Sequence, residues 1–518
     1  MKKSRFLATT VCPGIRAATI SRGIRAAALA AALVLPFGAA AQAAQLTREQ
    51  TLFDSGTINE FAKKNLGSFS TATLKNGIPV VIKRSTSNRI LTLKAVLTGH
   101  VSYTPVDKAG LEAVMLTMLT RGSAHYTYAD IQRMTFETSS DMVPRYGSYD
   151  LTSLDLVTID TYFPRLFPMY ADAFLHPSWN EEEFPRVVSD FKLQKQEEES
   201  DPFSSAALRL DEKFFAGHPY AATWAGVGDS LDRITLDDVR SYYGQAVTAG
   251  RLILIAVGNF DPKTLVPMLE DSFGSLPRTT SIRPPVRSLL GSVTPDLLVA
   301  PYPRSEGLAY VKGQFAMPAP DSPDYPASLV AFNLLDDILF EILRTRNGAC
   351  YSVEANVDGA TASYGDITVF RTTVPGKVKP LVDEAIGVLA SGRSMSGNVT
   401  VSAAGKSGLG SAAAAQAAAF VPIAQALPFY KLKFLTQFYS GQQTNRLIAS
   451  QIAGSVFYHG DYRHYLLLTD RINGVTAEDV VRVAKKYLVD NPMLWIVLGD
   501  PALLKGVPRD DFLKQTGS

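Results

Sequence analysis

The chain has 518 residues, of which 46% are hydrophobic and 19% are charged, a composition typical of globular proteins. A single hydrophobic core stops growing at about 250–300 residues, so this length predicts two large domains or more. The first 43 residues carry six basic side chains and no acidic one, which leaves 45 basic against 49 acidic residues in the remainder, a net charge of −4. This mildly acidic balance gives no electrostatic reason to expect nucleic acid as a partner.

The N-terminus has the layout of a secretory signal peptide. A basic stretch ends at Arg25, an apolar Ala/Leu run covers 26–37, and the Ala-Gln-Ala sequence at 41–43 forms a cleavage site. A membrane anchor is the alternative interpretation, but the apolar run is shorter than the roughly 20 residues that a span requires. We therefore predict that residues 1–43 are removed and that the mature protein lies in the periplasm of a Gram-negative bacterium, without a membrane span.

Strand and helix patterns alternate in the first half of the chain. A β-hairpin is predicted at 68–84, because the Asn-Gly dipeptide at 76–77 is the strongest short-range turn signal. A further β-rich run covers 89–98, and a helix is predicted over 108–121. These patterns predict an α+β protein in which each lobe has a largely antiparallel sheet packed against helices.

Two segments, 234–261 and 475–501, repeat each other at a displacement of 241 residues. In both, a threonine with an aspartate three residues later predicts the start of a helix, and an apolar run that stops at a glycine predicts a strand. We interpret the repeat as a duplication that gives two homologous domains, 44–285 and 286–518, divided in the proline-rich stretch at 277–295.

One segment of the second half has a biased composition. Residues 402–419 consist largely of alanine, glycine and serine and are nearly without charge. We interpret this stretch, within 395–425, as a flexible or partly helical surface insertion whose role the sequence does not indicate.

Four segments together resemble the pitrilysin family of zinc peptidases, which includes insulin-degrading enzyme and the mitochondrial processing peptidase. They are the hairpin at 76–77, KAGLEAVMLTMLTRGS at 108–123, DPF at 201–203 and HPY at 218–220. The resemblance spans about residues 65–515. It implies a clamshell that encloses extended peptides and is built from duplicated α+β lobes, of which this chain would form half.

The zinc motif of that family is degenerate in this chain. Active members carry H-x-x-E-H on the first long helix, where two imidazoles one turn apart bind zinc and the glutamate deprotonates the metal-bound water. The corresponding positions are Ala113, Leu116 and Thr117, and no glutamate of 186–203 clearly falls in register for the third ligand. We therefore expect no zinc on this chain. The apolar residues of the helix recur with the spacing of one buried face: Leu111, Val114, Met115, Met118 and Leu119.

No other cluster in the sequence replaces the lost site. No two histidines stand one helical turn apart with an acid between them, and there is no Gly-x-Ser-x-Gly motif. Cys350, the one cysteine beyond the signal, lacks a Cys-His signature. We interpret His218 of the HPY motif as structural, and His459 and His464 as surface or packing residues. Independent catalysis is therefore not expected.

The segment LRTRNGACYSV at 343–353 resembles a second signature of the family, in which an arginine and a tyrosine seven residues later reach toward the zinc site. Arg344 and Tyr351 have that spacing. The resemblance implies that they bind the substrate backbone and stabilise the tetrahedral intermediate, and a guanidinium and a phenol are suitable donors to an oxyanion. Without the family, Arg344 would be a surface charge at a helix end and Tyr351 a half-buried strand residue. LLDDILFEI at 334–342 replaces the glycine-rich segment of many relatives.

These features fit a division of labour. Our first hypothesis is the non-catalytic subunit of a periplasmic heterodimeric zinc endopeptidase, which contributes peptide binding and transition-state stabilisation to a partner subunit that holds zinc. The substrate would be a peptide or an unfolded protein segment. The alternatives are a non-enzymatic peptide-binding or scaffolding protein and an unrecognised self-sufficient enzyme. The sequence indicates neither the cleavage preference nor whether the partner is a separate chain or a second copy.

Overall fold

A computed structural model describes residues 65–224, 226–278, 286–396 and 420–514. The predicted signal peptide, residues 1–43, and the low-complexity stretch 402–419 lie outside these ranges. No helix among the described residues is long and apolar enough to cross a membrane.

The first lobe is a six-stranded sheet with helices, in the strand order β1-β2-β6-β3-β5-β4. All pairings are antiparallel except that of β2 with β6. Its strands are β1 (Phe69–Thr73), β2 (Pro79–Arg84), β3 (Ile90–Thr98), β4 (Asp141–Arg145), β5 (Leu151–Ile159) and β6 (Leu252–Gly258). Its helices are α1 (His100–Tyr103), α2 (Leu111–Met118), α3 (Tyr128–Glu137), α4 (Phe163–Leu175), α5 (Phe184–Ser200), α6 (Pro202–Phe214), α7 (Leu236–Ala246) and α8 (Pro262–Phe273).

The second lobe is a five-stranded sheet in the order β7-β13-β8-β10-β9, in which only β7 and β13 are parallel. Its strands are β7 (Asp296–Pro301), β8 (Ala309–Ala316), β9 (Ser352–Asp358), β10 (Tyr364–Thr372) and β13 (Leu494–Gly499), with a two-stranded ribbon of β11 (Arg393–Ser394) and β12 (Val421–Pro422). Its helices are α9 (Tyr325–Leu339), α10 (Val378–Ala390), α11 (Ile423–Ser440), α12 (Asn445–His459), α13 (His464–Gly474), α14 (Ala477–Ala484), α15 (Pro501–Leu504) and α16 (Arg509–Leu513). The predicted α+β fold with two lobes is confirmed.

The internal repeat corresponds to one structural unit in each lobe. Thr235 and Thr476 both form capping boxes with the aspartate three residues later, and these start α7 and α14. The strands that follow, β6 and β13, are buried along their whole length. Each pairs in parallel with one neighbour and antiparallel with the other, so the two sheets share a topology.

Each lobe contributes a helix that covers the sheet of the other lobe. Helix α12 of the second lobe covers one face of the first sheet, where Ala449 and Ile452 pack with Val96. Helix α6 of the first lobe covers the second sheet, where Leu210 packs with Ile496. Each lobe therefore completes the hydrophobic core of the other, and the contact between them is part of the fold.

Each sheet also buries a lysine–aspartate pair on the face that the other lobe covers. Lys94 Nζ lies 2.6 Å from Asp155 Oδ2 in the first lobe, and Lys312 Nζ lies 2.8 Å from Asp366 Oδ2 in the second. Burial lowers the pKa of Lys94, and the charge of Asp155 opposes that effect. The two pairs occupy corresponding strands, β3 and β5 in one sheet and β8 and β10 in the other.

Candidate functional site

Helix α2 carries Ala113, Leu116 and Thr117, the positions at which the sequence resemblance predicts a degenerate zinc motif. It begins after Gly110, whose φ of 95° suits glycine, and a Cβ there would lie 2.7 Å from Leu231 Cδ2. The helix is shorter than the predicted 108–121, because Lys108 belongs to a preceding 3₁₀ turn. The prediction of a single buried face is wrong: every residue of α2 except Thr117 is buried, since the helix packs against β4, α5 and α7 as well as the sheet core.

The side chains at the ligand positions do not fit a zinc ion. Ala113 and Leu116 are fully buried and offer only methyl groups. The Thr117 hydroxyl donates to the Ala113 carbonyl at 2.9 Å, so it is occupied within the helix. No group of three His, Cys, Asp or Glu side chains suited to a metal occurs among the described residues. The adjoining helix α5 buries only apolar side chains: Val187, Val188 and Phe191.

A buried ion pair beside these positions was not predicted from the sequence. Glu112 is fully buried, and its Oε2 lies 2.9 Å from Nη2 of Arg251, which is 1% exposed. The hydroxyl of Tyr242 donates to the same carboxylate oxygen, and Thr152 donates to the other at 2.5 Å. Arg251 also donates from Nε to the Thr98 carbonyl at 2.8 Å. A polar network therefore connects helix α2 to β3, β5 and α7, and to Arg251, which directly precedes β6.

This network keeps Glu112 ionised. Burial alone would raise the pKa of Glu112, but the charges of Arg251 and His100, together with the hydrogen bonds, hold that pKa below its usual range. In the sequence, the only sign of this ion pair was one acidic residue, Glu112, in an otherwise apolar helix. Its partner lies 139 residues away, a separation that no local pattern can bridge.

Arg344 and Tyr351 are brought together at the surface of the second lobe. A π-helical turn, Phe340–Arg346, follows α9 and contains Arg344. The Nη1 of Arg344 donates to the Cys350 carbonyl at 2.9 Å, and its guanidinium lies 5.5 Å from the centre of the Tyr351 ring. π-Helical turns occur frequently at functional sites. The predicted pair is thus a fixed unit.

Tyr351 is 63% exposed, more than expected for a half-buried strand residue. It lies just before β9, and its N–H donates to the Phe370 carbonyl at 3.1 Å, so the backbone is anchored while the ring faces solvent. Cys350 beside it is buried, and burial raises the pKa of its thiol to about 11. A thiol of that pKa is a poor nucleophile at neutral pH, which leaves Arg344 and Tyr351 as the chemically available groups of this turn.

The two sets of predicted site residues do not share a core. Ala113 and Leu116 belong to the core of the first lobe, whereas Leu343, the neighbour of Arg344, belongs to that of the second. The arrangement can present hydrogen-bond donors from the second lobe, whereas Ala113 and Leu116 offer no side chain that could ligate a metal or act as a base.

The HPY motif has a structural position. His218 Nδ1 accepts from the Tyr220 N–H at 3.1 Å and fixes the turn. The Tyr220 hydroxyl donates to the buried carboxylate of Asp150, which also accepts from the Thr361 N–H at 2.7 Å and the Tyr458 hydroxyl at 3.0 Å. Asp150 thereby joins both lobes, a role that its sequence context does not reveal.

His459 and His464 stack face to face, with ring centres 4.0 Å apart and an interplanar angle of 4°. Burial lowers the pKa of His459 to about 4 and that of His464 to about 3. Arg471 Nη2 lies 2.8 Å from His464 Nδ1. Parallel stacked rings direct their nitrogens sideways rather than toward a common point, so the geometry favours packing over metal binding.

Comparison with known proteins connects these features to one family. Residues 233–393 match the family model for the peptidase M16 inactive domain. A probable mitochondrial-processing peptidase subunit beta of Schizosaccharomyces pombe is 20% identical over 221 residues, which cover 42% of this chain and 48% of the relative. The aligned part is thus about half the length of that curated relative.

Solved structures with the same fold include two bacterial proteins. A peptidase M16 inactive domain from Pseudomonas fluorescens superposes with a TM-score of 0.70 at 17% identity, covering 83% of this chain and 98% of that one. The periplasmic protease PqqL from Escherichia coli gives a TM-score of 0.65 at 17% identity, covering 86% of this chain but 46% of that one. The family-model match at 233–393 and the shared fold of these structures confirm the resemblance to a non-catalytic, pitrilysin-like protein that was predicted from the sequence.

Proposed function

We propose that this protein is the non-catalytic subunit of a heterodimeric zinc endopeptidase. In this assignment Arg344 and Tyr351 bind the backbone of a peptide or unfolded segment and donate hydrogen bonds to the oxyanion that forms on it. A partner subunit of the same family supplies zinc. The exposed, preorganised Arg344–Tyr351 unit is the observation that carries the proposal.

The state of these two side chains supports it. Within the described part of the chain, no carboxylate lies within ion-pair distance of Arg344, whereas the neighbouring Arg346 is paired with Glu341 at 3.1 Å. A guanidinium held by one main-chain contact retains donors for a ligand. A donor fixed before substrate arrives stabilises developing charge without reorganisation. The apolar ligand positions on α2 require that the metal come from elsewhere.

A non-enzymatic peptide-binding or scaffolding protein is the second candidate. The bond from Arg344 to the Cys350 carbonyl favours it, because the same contact would serve to stabilise the turn in a protein without any catalytic role. The two functions predict different results when Arg344 is removed: turnover of the complex falls if the arginine is catalytic and does not change if it only stabilises the turn.

The decisive experiment uses the complex with its zinc-bearing partner, purified together and assayed on an unstructured peptide. Arg344→Ala and Tyr351→Phe should each lower turnover by about 10²–10³, or about 2.7–4 kcal/mol, because one oxyanion donor is lost. The variants should have a lower kcat if the contact forms only in the transition state, and a higher KM if the pair only holds the substrate. Arg344→Lys keeps the charge but removes the two-pronged donor, so it should remain impaired.

The control is Arg304→Ala, which removes an exposed arginine of the second lobe far from Tyr351 in sequence. It should leave turnover unchanged, and size-exclusion chromatography should show every complex intact. Wild-type rates in the Arg344 and Tyr351 variants, with the complex assembled, would reject the catalytic role in favour of the scaffold.

The proposed compartment is the periplasm, as the Ala-Gln-Ala sequence at 41–43 predicts. One protein of similar fold, PqqL, is described as a periplasmic protease. N-terminal sequencing of protein from its native host should begin at Ala44 or one residue later. An intact Met1 on cytosolic material would contradict export.

A further inference from the structure

A second arginine contacts Tyr351 and has no role in the function proposed above. The guanidinium of Arg371, on β10, lies 5.9 Å from the centre of the Tyr351 ring, and that of Arg344 lies 5.5 Å from it. The exposed phenol is therefore flanked by two cations. Arg371 lies on a strand, 27 residues beyond Arg344 in its π-helical turn, so it forms no local motif with the pair.

The backbone at Arg371 is strained. Its φ is 54°, in the left-handed region that residues other than glycine rarely adopt. The register of β10 with β8 shifts between Val369 and Thr372, which marks a bulge at this point. Bulges next to functional sites redirect a side chain, and such backbone strain persists only where the surroundings impose it. Here the redirected side chain is the one that contacts Tyr351.

The surroundings do impose this conformation. The Tyr351 N–H donates to the carbonyls of Phe370 and Arg371, at 3.1 and 3.3 Å. The Phe370 ring packs 4.7 Å from that of Phe203, which belongs to the DPF motif of the first lobe. Thr372, the next residue, is fully buried. The end of β10 is thus held by β9 and by the other lobe, so that the Arg371 side chain projects from a rigid base.

The positive charge of this cluster has no acidic partner in the part of the chain that the structure describes. Among the described residues neither Arg344 nor Arg371 has a carboxylate within ion-pair distance, although arginines elsewhere on this lobe do, for example Arg482 with Asp324. Guanidinium groups match a carboxylate in shape and bind it through paired N–H donors. Two guanidiniums around one exposed phenol therefore form a site for an anion of that shape.

We propose that Arg371 is a specificity-determining residue that binds a carboxylate of an acidic peptide substrate at Tyr351. The inference rests on the proposed function to the extent that Arg344 and Tyr351 form the peptide site. The carboxylate belongs either to a Glu or Asp side chain or to the C-terminus of the peptide, since both present the same two oxygens. Neutral peptides would lose this contact and retain the others.

The test measures peptide binding to the whole mature chain without any partner. Three labelled peptides of otherwise identical unstructured sequence are compared by fluorescence anisotropy: an amidated peptide with one glutamate, its amidated glutamine counterpart, and the glutamine peptide with a free C-terminus. At least one carboxylate peptide should bind about fivefold more tightly than the neutral one, a ratio suited to an exposed pair. The tighter of the two identifies the source of the carboxylate.

Variants then assign the preference to Arg371. Arg371→Met should remove it while leaving affinity for the neutral peptide unchanged, and Arg371→Lys should retain part of it. Arg371→Gly removes the side chain and suits a positive φ, so it tests the same point in a chain whose fold is not threatened. Arg304→Met should preserve the preference. Equal binding of all three peptides, a preference that survives Arg371→Gly, or no binding of either carboxylate peptide at about 1 mM would overturn the proposal.

This experiment separates the two proposals. A carboxylate preference in the isolated chain, combined with wild-type turnover of the Arg344→Ala complex, would sustain the Arg371 site and reject the oxyanion role. The absence of a preference, combined with the expected loss of turnover in Arg344→Ala, would do the reverse.

Discussion

Helix α2 and the turn from Phe340 to Tyr351 hold the two sets of residues that the sequence resemblance singled out, and they differ in burial. On α2, Ala113 and Leu116 are enclosed in an apolar core. At the turn, polar side chains remain exposed and are held by main-chain contacts. A buried helix position gains stability from apolar groups, whereas exposed hydrogen-bond donors stay polar at little cost in stability and remain available to a ligand.

The comparison also separates two kinds of polar network. Around Glu112 every strong polar group has a partner, so the network stabilises the fold and leaves nothing for a ligand. Around Tyr351 the cations lack acidic partners within the described residues. Mutations in the Glu112 network should therefore lower the stability of the fold, whereas mutations around Tyr351 should change binding or turnover.

Restoring the zinc motif should give the largest effect. The triple variant Ala113→His, Leu116→Glu and Thr117→His places an overpacked ring and an unpaired carboxylate in the core, and should cost about 5 kcal/mol or more. Thermal unfolding followed by circular dichroism would measure the loss, with Thr117→His alone, at the only residue of α2 that is not buried, as the milder control. Wild-type protein should contain no stoichiometric zinc. A stable triple variant that binds one zinc would show that the helix had kept its metal site, contrary to the comparison.

Removing one half of the buried ion pair should be the next largest effect. Glu112→Ala leaves Arg251 charged and without its carboxylate, and a loss of about 3–5 kcal/mol is expected in urea unfolding. The double variant Glu112→Leu with Arg251→Leu should lose less than the single one, because no buried charge is left uncompensated. If Glu112→Ala unfolds at the wild-type urea concentration, the network is not what fastens α2.

The same pair should give the protein a defined acid sensitivity. The pKa of Glu112 is lower in the folded state than its usual value, so the unfolded chain takes up this proton first as the pH falls. The contribution of Glu112 is then complete above about pH 5 and declines as the pH passes down through the lowered folded-state pKa. Urea unfolding of wild type and Glu112→Gln from pH 7 to pH 3 should show a difference in stability that shrinks toward low pH. A difference in stability that stays constant with pH would show that ionisation of Glu112 does not stabilise the fold.

The smallest effect is expected at Cys350, which lies in the turn from Phe340 to Tyr351. A thiol with a pKa of about 11 has about 200-fold less thiolate at pH 8 than one of ordinary pKa, so iodoacetamide should label it slowly in the folded chain and quickly in urea. Mass spectrometry after timed quenching would follow the reaction. Arg344→Ala should leave labelling slow if burial alone protects the thiol. Rapid labelling of the folded wild type would mean that the turn opens readily and does not hold Arg344 and Tyr351 in place.

Several features could be read directly from the sequence because their physical causes are local. The Asn-Gly turn lies between β1 and β2, with Gly77 at a φ of 95°. The two Thr–Asp capping boxes start their helices as predicted. The Arg–Tyr spacing across the turn was visible for the same reason, since seven residues separate the two.

The extent of burial around α2 and the exchange of helices between lobes were not predictable in this way. Apolar periodicity reports which residues avoid water, but a helix enclosed on every side still contains the same residues as one with a single buried face. Nor does an amphipathic helix indicate which of two sheets it will cover, so the positions of α6 and α12 followed only from the three-dimensional packing.

The sequence by itself determined the α+β class and the duplicated unit of the two lobes, because both depend on residue type and short spacing. Tertiary structure alone decided which distant charges meet. It paired Glu112 with Arg251 and set Arg371 beside Tyr351 through a bulged strand. Such pairings depend on how strands far apart in the chain align, and alignment is fixed by the whole core rather than by any segment of it.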